Sequence, residues 1–211
     1  MSDQVELSVG GVDVSRETFA ALKDYEALVR RWTPAINLVS KNSVVDIWER
    51  HIADSAQVFA ACDTSEAQSW VDLGSGGGFP GLVVAVLAKE LRPSLRTTLV
   101  ESDLRKATFL RQAAQALSLN TQVLSSRIES LDPLGADILS ARALAPLSEL
   151  LGYASKHLRA GGTAIFPKGA RSAEELAEAR KSWSFDVESL PSLSEDSASI
   201  LVIRNIHRAH D

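Results

Sequence analysis

With 211 residues, 45% of them apolar and 23% charged, the chain has the balance of a globular domain that can bury a sizeable core. The longest apolar run, GLVVAVLA at 81–88, is too short to span a bilayer, and MSDQVELSVGG has neither the basic start nor the apolar block of a secretory leader, so a cytoplasmic address is expected. The net charge of −5 argues against indiscriminate nucleic-acid binding, and the single cysteine, Cys62, excludes an intrachain disulfide and a cysteine-cluster metal site.

Two helical patterns come first. From Ser15, an N-cap residue, Phe19, Leu22, Tyr25, Val29 and Trp32 recur at spacings of three or four. Pro34 breaks the pattern within TPAINLVS (33–40), and a second helix is expected from Ser43. There Ser43-x-x-Asp46 resembles a capping box, followed by the stripe Ile47, Trp48, Ile52, Val58 and Phe59. Strands and helices then alternate. SWVDL (69–73) reads as a buried strand, and Pro80 suits the first turn of a helix running to about Leu91. LRTTLVE (95–101) is a second strand, and Asp103 can cap the helix LRKATFLRQAAQALSL. TQVLS (121–125) and ADILSA (136–141) are further strands, followed by a helix from about Pro146 to Leu158. GGTAIFP (161–167) is a fifth strand, succeeded by a charged helix near 172–182, and FDVESL (185–190) and ASILVIRNI (198–206) complete the set.

Repeated strand–helix–strand units imply right-handed crossovers and a parallel sheet. The last two strands are separated only by a short loop, which forces them to be antiparallel neighbours. The expected fold is therefore α/β: a doubly wound, mostly parallel, Rossmann-like sheet of seven strands with an antiparallel C-terminal hairpin. Residues 1–65 form an N-terminal helical extension and 66–211 the sheet domain, together one structural unit.

The first strand runs into DLGSGGGFPG (72–81), five glycines in ten positions. No lysine lies between Trp70 and Leu87, so this is not a P-loop. Gly76, Gly78 and Gly81 satisfy the dinucleotide pattern G-x-G-x-x-G, but the first of them sits four residues past Asp72 and Pro80 interrupts the helix start. The alternative register, Asp72-x-Gly74-x-Gly76-x-Gly78, is the first motif of S-adenosylmethionine-dependent methyltransferases. Missing Cβ atoms there let the backbone approach a methionine moiety. Glu101 ends the second strand, where a carboxylate can accept both ribose hydroxyls of either adenosine ligand. Short-chain dehydrogenases need Tyr-x-x-x-Lys, whereas Tyr25 and Tyr153 are followed by Val29 and His157, which closes that route.

NLVS (37–40), ERHIADS (49–55), DLGSGGGFPG, LVESDLRKATFLRQ (99–112), SRIES (126–130), SARAL (140–144) and FPKG (166–169) follow one another in order. With these pieces the chain resembles the bacterial glucose-inhibited division B family, which methylates N7 of one guanine in 16S ribosomal RNA. The likeness runs from about Asn37 to Ile206, and the first 30 residues carry no motif of it. One departure is Glu101, which replaces an aspartate and keeps the carboxylate. The resemblance implies a class I S-adenosylmethionine-dependent fold and the small ribosomal subunit as partner. It also implies that Gly74 and Phe79 contact the donor together with Asp72, Gly76, Gly78 and Glu101. Ile128 and Glu129 would flank the adenine, and Arg142 would touch the donor beside the methyl-transfer centre.

Guanine N7 carries an exposed lone pair, so the reaction needs no general base, and none of the four histidines has ligand spacing for a metal. Alignment in a dry site would suffice. Arg30, Arg31, Lys41, Arg50, Arg105, Lys106, Arg111, Arg142, Lys168 and Arg171 lie near element ends that can face the cleft. Arg142 and Lys168, just past strands four and five, are best placed for catalysis. Lys168, Arg171, Arg50 and His51 are the expected RNA contacts. An extruded base is the expected substrate geometry, and the protein is expected to act as a monomer without membrane or metal. A small-molecule methyltransferase and a non-catalytic adenosine-ligand binder stay open as alternatives.

Overall fold

The computed structural model describes residues 7–40 and 43–209. Lys41, among the cations expected near the cleft, lies outside them. The chain opens with a hairpin that the helical reading of the N-terminus did not anticipate: β1 (Leu7–Val9) pairs antiparallel with β2 (Val12–Val14). Helix α1 (Arg16–Ile36) starts where expected, with the Ser15 side chain accepting the Thr18 N–H at 3.1 Å. Pro34 does not end it. The proline sits in the last turn, so only two residues follow before Asn37 adopts φ 50° and donates its N–H to Thr33 O at 2.9 Å.

The second helix does not begin at Ser43. That residue closes a turn on Ser40, with its N–H 3.0 Å from Ser40 O, and the Ser43/Asp46 capping box does not form. A π-helical turn over Trp48–Ala53 leads instead into α2 (Asp54–Ala60). Wide turns of this kind occur mostly at functional sites, and this one carries Arg50 and His51 and delivers the chain to Asp54.

The sheet holds seven strands in the order β5-β4-β3-β6-β7-β9-β8. They are β3 (Ser69–Leu73), β4 (Arg96–Val100), β5 (Thr121–Leu124), β6 (Ala136–Ala141), β7 (Leu158–Lys168), β8 (Trp183–Pro191) and β9 (Ser199–Arg208). The first five pair in parallel, and β9 is antiparallel to both β7 and β8, as their short connection requires. Strands β7, β8 and β9 are longer than their apolar cores suggest, and β7 takes in Leu158, which the helical reading had assigned to the preceding helix.

Between them run α3 (Gly81–Leu91), α4 (Leu104–Ala116), α5 (Leu147–His157) and α6 (Ser172–Ala179). Asp103 caps α4 by accepting the N–H groups of Arg105 and Lys106 at 2.8 and 3.1 Å. Pro80 stands just before α3, at its N-cap, instead of inside its first turn.

Each face of the sheet has its own apolar layer. On one face Leu22, Tyr25 and Val29 of α1, with Ile52 and Val58, pack against Val83 and Leu87 of α3 and Phe109 of α4. On the other, Leu150 and Leu151 of α5 meet Leu139, Phe166 and Leu201. The N-terminal elements therefore share a core with the helices that flank the glycine loop. The chain order reverses at β3, which has β4 on one side and β6 on the other. In open α/β sheets ligands bind in the crevice beyond the carboxyl ends of such strands. Among the described residues no helix is long and apolar enough to cross a membrane.

Candidate functional site

The loop after β3 is built from below. Asp72 is buried in the sheet, and its Oδ1 accepts the Ser140 hydroxyl at 2.7 Å, while the Trp70 indole donates to the same Ser140 oxygen at 2.9 Å. Burial pushes the Asp72 carboxyl up to about 6, against opposing bonds from Ser140 and Ser75 and the nearby Arg142 charge. Ser75 N–H reaches across to Val100 O at 3.0 Å, and Gly78 N–H closes the turn on Ser75 O at 2.6 Å. From the opposite side Tyr25 of α1 donates its hydroxyl to Gly77 O at 2.6 Å.

Two cavities open around this loop. The first, of about 310 Å³, is lined by Gly74, Gly76, Val100, Glu101, Ile128 and Glu129, with Ser102, Lys106, Ser126, Arg127 and Tyr153 around them. Glu101 organises it: Oε2 accepts the Gly76 N–H at 2.8 Å and Oε1 the Asp103 N–H at 2.7 Å. Each oxygen keeps a second lone pair, the chemistry a ribose diol needs. Ile128 supplies a buried apolar wall, and Glu129 is held by Tyr153, whose hydroxyl lies 2.7 Å away and keeps the Glu129 carboxyl below its usual range. Gly74 has φ 64°, a left-handed backbone that disfavours any side chain, and a Cβ there would crowd the Leu144 side chain at 2.6 Å.

The second cavity, of about 700 Å³, holds Arg50, His51, Asp54, Arg142, Lys168 and Arg171. Ala143 and Leu144 line both cavities and form the partition between them. Ala143 adopts φ 51°, a left-handed conformation unusual for alanine, at the place where the two cavities touch.

The structure thus sorts the expected residues into two groups. Gly74, Gly76, Glu101, Ile128 and Glu129 meet at the smaller cavity, and Arg142, Lys168, Arg171, Arg50 and His51 at the larger. Four expected donor contacts do not reach the smaller cavity. Asp72 is spent inside the sheet and Gly78 in the turn, while Phe79 is buried between Tyr25 and His51, its ring 5.2 and 5.0 Å from theirs. These three support the loop from beneath. Arg142 also lies outside the smaller cavity, its guanidinium 5.2 Å from the Phe79 ring centre.

Among the expected RNA contacts, Lys168 differs most from expectation. Its side chain is only 10% exposed, and Nζ donates to Ala145 O at 3.0 Å and to Glu175 at 2.8 Å. Its charge is engaged within the protein instead of being open to phosphate. Among the described residues Arg171, 80% exposed, pairs only with Glu174 at 3.0 Å, itself 72% exposed. His51 has no hydrogen-bond partner on either ring nitrogen among the described residues. Burial, aided by Arg142 and Arg50, pushes its pKa down to about 4, so the ring is neutral. Of the other cations, Lys106 lines the smaller cavity, and Arg30 is tied to Glu26 at 2.6 Å.

Sequence reasoning passed over Asp54, Ala143, Leu144 and Tyr153 as site residues. The first three lie inside ERHIADS and SARAL, so the signal was present, but nothing in the spacing marks which member faces a cavity. Among the described residues no group of three or more His, Cys, Asp or Glu side chains is arranged to hold a metal ion.

The family model GidB, described as rRNA small subunit methyltransferase G, matches residues 18–201. A ribosomal RNA small subunit methyltransferase G of Ruegeria pomeroyi is 54% identical over 197 residues, covering 93% of this chain and 96% of the relative. The protein of the same description from Cereibacter sphaeroides is 50% identical over 193 residues, covering 92% of this chain and 93% of its own length. Among solved structures, the mitomycin 7-O-methyltransferase MmcR superposes with a TM-score of 0.59 at 17% identity, over 90% of this chain and 68% of that one. A SAM-dependent methyltransferase from Aquifex aeolicus does so with a TM-score of 0.57 at 12% identity, over 85% and 97%. At such identities the likeness is one of fold.

Proposed function

The chain belongs to the GidB family of rRNA small subunit methyltransferases, and from that premise we propose that it transfers a methyl group to N7 of one guanine in 16S rRNA. It is an S-adenosylmethionine-dependent enzyme with the class I methyltransferase fold. The observation that carries the finer reading is the partition at Ala143–Leu144, which sets a cavity fit for an adenosine ligand directly against a larger one walled by cations.

In the smaller cavity the backbone at Gly74 and Gly76 would hold the methionine portion, Glu101 the ribose, and Ile128 with Glu129 the adenine. The cofactor supplies an electrophilic sulfonium methyl group. Everything else falls to the protein and the base. N7 of guanine gives its lone pair to the new N–C bond, the S–C electron pair stays on sulfur, and no proton has to leave. The site therefore needs alignment and dryness and no general base. His51, neutral because its pKa is about 4, fits a wall that packs without titrating.

RNA grip falls to the exposed Arg50 and Arg171 at the rim of the larger cavity. The volume of that cavity, about 700 Å³, leaves room for a base turned out of its stack. We take residues 1–65 and 66–211 to work as one unit, because the Tyr25 hydroxyl anchors the donor loop. We also take the enzyme to act as a monomer, without a metal, in the cytoplasm.

The test is labelled S-adenosylmethionine with unmethylated small subunits or their RNA, followed by mapping of the modified base. Label on N7 of a single guanine is expected. Label confined to small molecules, or saturable NADH binding without donor binding, would overturn the reading.

A further inference from the structure

Arg142 and Asp54 stand side by side on the wall of the larger cavity. Arg142 NH1 lies 3.8 Å from Asp54 Oδ2, close enough to attract but beyond hydrogen-bond length. Both are held by other contacts. Asp54 Oδ1 accepts the hydroxyls of Ser192 and Ser194 at 3.1 and 3.0 Å, from the β8–β9 loop. Arg142 NH1 donates to Arg50 O at 3.4 Å, and its guanidinium rests on Phe79. The two side chains are only 19% and 13% exposed. Asp54 Oδ2 has no hydrogen-bond partner among the described residues, and the remaining guanidinium N–H groups have none either. The pair is a pre-set donor beside a pre-set acceptor, facing a cavity.

Guanine carries the complementary order. Along its edge from N7 come O6, an acceptor, then N1–H and the N2 amine, both donors. Adenine offers a donor and then an acceptor at the corresponding places. Resting on the reading that the larger cavity receives the target base, we propose that Arg142 and Asp54 select guanine: Arg142 donates to O6, and Asp54 Oδ2 accepts from N1–H and the N2 amine.

The chain direction supports this pose. Arg142 is followed at once by Ala143 and Leu144, the partition shared with the cofactor cavity. In this pose O6 meets Arg142, N7 is turned toward the partition and N1–H toward Asp54. His51 lines the same cavity and is neutral, so it adds no second cation beside Asp54. Methylation at N7 makes the purine cationic and its N1–H more acidic, so the bond to Asp54 strengthens as the reaction proceeds. Asp54 is therefore expected to act on turnover more than on RNA affinity.

The experiment compares single-turnover methylation of reconstituted small subunits carrying guanosine or inosine at the mapped target position. Inosine keeps N7, O6 and N1–H but lacks the N2 amine. The wild-type enzyme should be slower on inosine by roughly ten- to a hundredfold, the worth of one charge-assisted hydrogen bond. Asp54→Asn, which keeps an oxygen for Ser192 and Ser194, should lose a similar factor on guanosine, and its guanosine-to-inosine ratio should fall toward one with donor affinity unchanged. An Asn variant that keeps the wild-type ratio overturns the proposal. So does a wild-type ratio near one, a measurement independent of whether the variant folds. Absence of any methylation by the wild type would instead remove the functional reading on which this one rests.

Discussion

The Tyr25 hydroxyl donates to the carbonyl oxygen of Gly77 at 2.6 Å, so helix α1 fastens the turn of the glycine loop that follows β3. Both groups are buried, and burial holds the Tyr25 phenol well above its ordinary range, so it remains a donor at any working pH. Tyr25→Phe keeps the ring packed on Phe79 and leaves the Gly77 carbonyl unsatisfied. Stability should fall by about 1–3 kcal/mol in denaturant titration. Donor affinity should fall as well, because the loop loses its tether. A loss of stability with unchanged donor affinity would separate the extension from the loop.

Glu101 faces two demands. Its oxygens accept Gly76 N–H and Asp103 N–H, and the same carboxylate lines the smaller cavity. Glu101→Gln leaves one of those N–H groups facing an amide NH₂ and removes the charge from the proposed ribose contact. Affinity for S-adenosylmethionine should drop about tenfold to a hundredfold. Calorimetric titration checks it, and a lower melting temperature with unaltered affinity would reduce Glu101 to a loop tether.

The sheet was legible because the apolar or β-branched cores of its strands are separated by turns and helices, although β7, β8 and β9 extend beyond those cores. The register Asp72-x-Gly74-x-Gly76-x-Gly78 stood out because the loop after β3 holds Gly74, Gly76 and Gly78 at positive φ, which demands glycine. The hairpin at Leu7–Val14 went unread although Gly10 and Gly11, both at positive φ (56° and 82°) between alternating valines, carry its signal. Ser43-x-x-Asp46 misled for a definite reason: Ser43 found Ser40 as a closer partner, and the local bond won over the cap. Asp54 and Lys168 lie within the recognisable pieces ERHIADS and FPKG, but their partners could not be read there. Their roles depend on Arg142 and Glu175, which only the fold brings within reach.

Asp72 should leave a mark on the pH dependence of stability. Its pKa rises from an ordinary 3.8 to about 6 because burial disfavours the charge. A carboxyl that binds its proton more tightly when folded contributes stability fully present below the unfolded pKa and lost as pH rises through the folded one. Relative to Asp72→Asn, the wild type should thus lose stability between about pH 4 and 6.5, by up to about 3 kcal/mol. Urea denaturation of both proteins at several pH values across that window checks the sign. A difference that stays constant with pH would mean that Asp72 titrates normally.

The two cations of the FPKGAR stretch should behave oppositely. Lys168 bonds to Ala145 O and Glu175, and the same Glu175 oxygen accepts the Leu147 N–H at 2.8 Å, so this lysine clamps the segment that follows the partition. Lys168→Met keeps the aliphatic stem and removes the clamp. Single-turnover rate and stability should fall, while the salt dependence of RNA binding should not change, since no phosphate contact is lost. Arg171 is open to solvent, and its pairing with Glu174 is too exposed to hold it. Arg171→Ala should weaken RNA binding and lower the slope of log K against log salt by about one, with donor affinity and melting temperature intact. Salt titrations of RNA binding for the two variants decide the matter. If Lys168→Met flattened the slope and Arg171→Ala did not, the lysine would release Glu175 on meeting RNA, and the clamp would be a resting contact only.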